Sequence, residues 1–158
     1  MSTADRWLGG VAIACIGAVG AALVSQHVYD MQPCPWCVLQ RVIFLAIAIA
    51  CVIGLAWRGR AGLRVGTSLG LLLALAGIAA ALWQHFQAAA SASCHLTLAD
   101  KIVSRWLQLD QVLPDVFEAR ASCADAAVNL LGVPYDFWSL ALFVLSAVAL
   151  LTAQRARR

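Results

Sequence analysis

Four stretches of this chain, about residues 7–24, 38–57, 65–86 and 137–153, are apolar runs almost free of charge. A helix needs about 20 such residues to cross roughly 30 Å of hydrocarbon. Of the 158 residues, 63% are hydrophobic and 12% charged, against about a quarter charged in a soluble domain. The pattern predicts an all-α, polytopic membrane four-helix bundle, with residues 1–158 forming one membrane domain. Trp7, Tyr29, Trp36, Trp57, Trp83, Tyr135 and Trp138 fall near the block ends, where interfacial aromatics anchor a span. The first block is read as a mature helix, not a leader, because no small-residue cleavage site precedes Ser25-Gln26-His27.

Charge orients the spans. Seven of the eleven Lys and Arg residues (Arg6, Arg58, Arg60, Arg64, Arg155, Arg157 and Arg158) lie before the first block, between the second and third, or after the fourth. The loop at residues 25–37 has no Lys or Arg, and the long segment 87–136 has three against six acidic residues. The positive-inside rule therefore expects cytoplasmic termini and two loops on the other side. The net charge of +3 reflects that topology. It gives no support to nucleic-acid binding, and the lipid bilayer is the expected surrounding.

The cysteines follow the same asymmetry. Cys15 and Cys51 sit inside apolar blocks, where a thiol acts as a small hydrophobe. Cys34, Cys37, Cys94 and Cys123 all map to the two non-cytoplasmic loops, on the side where disulfides persist in a bacterium. Cys34-Pro35-Trp36-Cys37 opens the second block. Pro35 is pre-set for a first helical turn, and the positive end of the helix dipole favours a thiolate there. That spacing suits redox chemistry. The alternatives are a structural clip or half a metal site, but zinc asks for a second close pair, and Cys94 and Cys123 lie 29 positions apart.

A bridge between Cys94 and Cys123 would close about 30 residues, worth roughly 3.5 kcal/mol on the chain-entropy account. Such a pair is most often a staple. The small and polar residues at 88–93 and 119–122 favour instead the mobile, exchangeable kind. Between the two cysteines, residues 104–113 are amphipathic and carry Trp106, which predicts a short helix on the membrane surface.

Two polar residues lie at membrane depth. Arg41 follows Cys37 by four residues, on the same helical face. It either snorkels to the headgroups or stabilises a thiolate or an anionic ligand beside Cys37. His85, at the outer end of the third block, is by itself an ordinary interfacial residue. Its depth matches that of Arg41 and the cysteine pair. Gly66-x-x-x-Gly70 fits close helix packing.

Four spans, a Cys-x-x-Cys with an arginine four residues on, a second loop pair, Val116-Phe117 before Cys123 and the later Gly132-Val133-Pro134 together resemble the DsbB family. These are disulfide bond oxidoreductases of the bacterial inner membrane, and the likeness covers nearly the whole chain. The resemblance implies a thiol:quinone oxidoreductase that reoxidises a DsbA-like periplasmic thioredoxin-fold protein. In that reading Cys94 and Cys123 form the disulfide that oxidises the partner, with Cys94 taking the mixed disulfide. Cys34 and Cys37 accept the electrons, and Cys37 passes them to quinone (ubiquinone or menaquinone) beside Arg41, with His85 nearby. Loss of Arg41 is then expected to weaken quinone use while exchange at the loop pair continues. The stretch from His85 to Cys94 is shorter than in the best-known member.

Quinone also follows from the residues. Two electrons leave a dithiol on the outer side, and the chain has no nucleotide fold or haem-attachment motif to take them. A lipid-soluble acceptor is the economical choice. Three rivals stand beside this reading. One is a quinone reductase like vitamin K epoxide reductase, whose quinone-side pair sits on the last core helix. The second is a non-catalytic haem protein using His27 and His85. The third is a membrane scaffold with two inert disulfides.

Overall fold

The computed structural model describes residues 2–57, 59–88, 98–125, 129–130 and 132–156. Cys94 lies outside them. Four long helices are present: α1 (Thr3–Val28), α2 (Pro35–Ala56), α3 (Arg60–Trp83) and, after the loop elements described below, α7 (Tyr135–Arg155). Their mean hydropathies over membrane-length windows are 2.1, 2.5, 2.1 and 1.9. The chain is a multi-pass membrane protein. α2 packs on α1 and α3, and α7 closes the ring against both.

α1 and α7 outrun at both ends the apolar blocks that mark them, and α2 and α3 begin before theirs. Composition registers the hydrocarbon, whereas the hydrogen-bonded helix continues into the headgroup zone until a cap stops it. α1 begins at a capping box, in which Ser2 Oγ accepts from the Asp5 amide and Asp5 Oδ2 accepts from the Ser2 amide. It ends before Asp30, at φ 52°. α2 begins at Pro35, with Cys34 as its N-cap, so Cys37 lies inside the first turn.

Burial follows membrane logic. Large apolar side chains face outward, with Ile13 74%, Leu72 64% and Leu145 63% exposed, and they meet lipid in place of water. Inside, the rings of Phe44 and Phe143 stack with centroids 4.0 Å apart. Cys15 and Cys51 are fully buried in this core, as small hydrophobes are.

α2 and α3 meet backbone to backbone. A Cβ on Gly66 would come within 2.7 Å of Gly54 Cα and 2.8 Å of the Ala50 carbonyl. Gly70 faces Leu150 and Cys51 instead. Without a hydrophobic drive between spans, such close contact is a main source of helix association. Gly66→Val is therefore expected to destabilise the bundle by about 1–3 kcal/mol, read as a lower thermal midpoint in detergent. An unchanged midpoint would show that the seam yields.

The long segment between α3 and α7 is a string of short elements. α3 passes into a π-helical turn, Gln84–Ala88. Then come α4 (Leu98–Asp100), a second π turn (Lys101–Trp106), α5 (Leu109–Val112) and α6 (Pro114–Phe117). A two-residue hairpin pairs β1 (Asn129–Leu130) with β2 (Val133–Pro134) before α7. The single helix expected over residues 104–113 is divided, because Gln108 takes a left-handed φ of 50° and the chain restarts as α5. Val103 turns into the core while Trp106 is 78% exposed.

Candidate active site

The cysteine end of the bundle gathers the end of α1, the start of α2, the turn after α3, the start of α7 and the loop through α6. Three sets of hydrogen bonds tie that loop down. Arg120 and Ala121 donate their amides to the Pro33 carbonyl at 3.0 and 3.3 Å. Arg41 donates to the Val116 carbonyl at 2.9 Å, and Gln26 to the Asp115 carbonyl at 3.1 Å. The first of these brings Cys123 to the residue after Pro33.

That residue is Cys34. Its sulfur caps α2 by accepting from the Cys37 amide at 3.3 Å and lies 2.8 Å from Cys37 Sγ, with the Cys123 sulfur as its other neighbour. A formed S–S bond measures about 2.05 Å, so Cys34 and Cys37 stand here as two thiols in contact. Hydrogen bonds to Cys123 and Cys37, then burial, push the Cys34 thiol well up from its ordinary value.

Cys37 faces the other way, into a cavity of about 260 Å³ between α1, α2 and α7 whose wall includes Arg41, Phe44, Tyr135, Trp138 and Leu142. Arg41 is 5% exposed. Besides Val116, its guanidinium donates to Gln26 Oε1 at 2.7 Å and to the Ala22 carbonyl at 3.4 Å. It is held by protein acceptors and does not snorkel. His85 pairs through Nδ1 with Asp136 Oδ2 at 2.7 Å, against the rings of Phe86 and Phe137. Asp136 is in the cavity wall and His85 is not.

The structure therefore brings together Cys34, Cys37 and Cys123, with Arg41 one turn below and His85 one residue behind the wall. Sequence reasoning missed Gln26, Gln40, Gln84 and Asp136. Gln40 Nε2 donates to Gln84 Oε1 at 2.7 Å, and Gln84 Nε2 donates to Cys37 Sγ at 3.4 Å. The only trace in the sequence is a polar residue at each block end.

The cavity combines apolar walls with a few polar groups. Phe44, Trp138 and Leu142 supply apolar and aromatic walls, Arg41 supplies fixed positive charge, and Gln32 Oε1 is a buried acceptor without a partner among the described residues. Mostly apolar walls with a few convergent polar groups characterise sites for small organic ligands.

The chain matches the family described as "Disulfide bond formation protein DsbB" over residues 4–153. It is 40% identical to disulfide bond formation protein B 1 of Pseudomonas savastanoi pv. phaseolicola, over 90% of this chain and 85% of that protein. It is 37% identical to disulfide bond formation protein B of Aromatoleum aromaticum, over 93% of this chain and 89% of the relative. With the protein of the same name from Ralstonia nicotianae it shares 34% identity, over 94% and 93% of the two chains. The family match over nearly the whole chain and these identities show that this chain belongs to the DsbB family of disulfide bond formation proteins.

Proposed function

We propose that the protein is a thiol:quinone oxidoreductase of the bacterial inner membrane, with its reactive cysteines on the periplasmic side. It reoxidises a DsbA-like thioredoxin-fold dithiol and discharges the electrons to membrane quinone (ubiquinone or menaquinone). The observation that carries this reading is the order Cys123, Cys34, Cys37, cavity. Cys34 touches the loop cysteine on one side and Cys37 on the other, and Cys37 alone of the three lines the cavity.

Cys94, outside the described residues, takes its role here from the family resemblance. A partner thiolate attacks the Cys94–Cys123 disulfide at Cys94, forming a mixed disulfide and releasing the Cys123 sulfur. The partner's second thiol then displaces Cys94, so that one disulfide leaves on the partner and one dithiol stays on the loop. The Cys123 sulfur attacks Cys34 in the Cys34–Cys37 disulfide, breaks that bond and leaves Cys37 as the displaced thiolate at the cavity wall. Cys94 then closes on Cys123 and frees Cys34. Bound quinone supplies an acceptor for two electrons and two protons. Arg41 adds positive charge beside Cys37, and the aromatic walls keep water from the reduced sulfur.

Proteoliposomes prepared without quinone test this directly. Reduced thioredoxin-fold dithiol should be oxidised in one stoichiometric burst and then stop, and adding quinone should restore continuous turnover. Continuous oxidation without any quinone, or none with it, overturns the proposal.

A further inference from the structure

The proposed function leaves two buried carboxamides without a task. Gln40 is 3% exposed and Gln84 7% exposed, on different helices, and both line the cavity. Their hydrogen bonds form a directed chain: Gln40 Nε2 donates to Gln84 Oε1, and Gln84 Nε2 then donates to Cys37 Sγ. With its oxygen engaged by Gln40, the Gln84 amide can present only its N–H donors to the sulfur. At Gln84 the α-helix of α3 gives way to a π turn, a local device that recurs at functional sites.

Arg41 does not do this. Its guanidinium is spent on Gln26, Val116 and Ala22, and among the described residues it makes no hydrogen bond to Cys37. A thiolate is a strong acceptor and a thiol a weak one. A neutral donor fixed on the sulfur therefore favours the ionised form without adding a second charge near Arg41.

We propose that Gln84 is a catalytic residue that stabilises the Cys37 thiolate, and that Gln40 is a positioning residue that orients it. This rests on the reading of Cys37 as the cavity-side thiol. Titratable groups facing Cys37 are Cys34 and Arg41 on its own helix, Cys123 from the loop, and Tyr135 and Asp136 from α7. None is altered by the variants below.

The test is the rate of Cys37 alkylation by iodoacetamide as a function of pH, followed peptide by peptide in fully reduced, detergent-purified protein. No quinone or partner is present, so the result is independent of the function proposed above. Gln84→Ala should slow alkylation at neutral pH about tenfold and move the profile to higher pH, as removal of one charge-assisted donor implies. Gln84→Glu keeps the shape but, once ionised, offers no donor and adds a negative charge beside the sulfur, and should slow it at least as much. Gln40→Leu leaves Gln84 in place but unanchored, and should give a smaller shift in the same direction. Alkylation of Cys34 reports that each variant is folded. Wild-type Cys37 profiles in both folded Gln84 variants would overturn the proposal, as would an unshifted profile in Gln84→Glu alone if Gln84→Ala fails to fold. A shifted profile in a protein that does not reduce quinone would uphold it and count against the quinone reading instead.

Discussion

Cys123→Ser is expected to trap the protein in a covalent complex with an oxidised thioredoxin-fold partner. The reason lies in where Cys123 sits. Backbone bonds from Arg120 and Ala121 to Pro33 hold the following loop against the α2 N-terminus, and Cys123 is buried there on Cys34. In the intact chain its sulfur both closes on Cys94 and passes electrons inward. Serine can do neither, so the free Cys94 thiolate attacks the oxidised partner's disulfide, forms the mixed disulfide and releases the partner's second thiol, and no loop sulfur competes to reclaim Cys94. On a non-reducing gel the complex should run at the summed mass, vanish with reductant, and be missing when Cys94 is also replaced. Continuous turnover should be lost altogether. Failure to capture any partner would sink the exchange role of the loop pair.

Arg41→Met is expected to act twice. Methionine fills much of the volume but removes the donor to Gln26 Oε1 and to the Val116 and Ala22 carbonyls. Each buried acceptor left unmade costs about 1–3 kcal/mol, so the thermal midpoint in detergent should fall by several degrees. The loop at Asp115 and Val116 loses one of its ties, which loosens Cys123 on Cys34. Sequence reasoning expected exchange at the loop pair to continue in this variant. The structure instead predicts that exchange slows together with a rise of about tenfold in the apparent KM for quinone, equivalent to about 1.4 kcal/mol. Arg41→Lys should recover part of both effects, since an ammonium cannot reproduce the planar set of donors. A variant with wild-type midpoint, exchange rate and KM would remove Arg41 from the account.

The spans were legible because a bilayer imposes both length and composition on a helix. Their ends were less so, since Ser2, Asp5 and Pro35 act in the headgroup zone, where hydropathy no longer marks the helix. Cys34, Cys37 and Arg41 announced themselves by spacing on one helix. Gln26, Gln40 and Gln84 did not. Each looks like an interfacial residue until packing places α1, α2 and the turn after α3 at one depth. Asp136 became visible only through His85, 51 positions away. The break at Gln108 depends on a backbone angle that a helical pattern across residues 104–113 conceals.

The most direct test is the rate at which purified protein reduces quinone when supplied with a reduced thioredoxin-fold dithiol, compared between wild type and Cys37→Ser. Serine is close in size and leaves Cys34, Cys123, Arg41 and both cavity glutamines in place. The account predicts steady quinone reduction by wild type, one quinone consumed for each partner disulfide made, and none by Cys37→Ser even though its Cys94 still forms mixed disulfides with the partner. Quinone reduction by Cys37→Ser at the wild-type rate would contradict it.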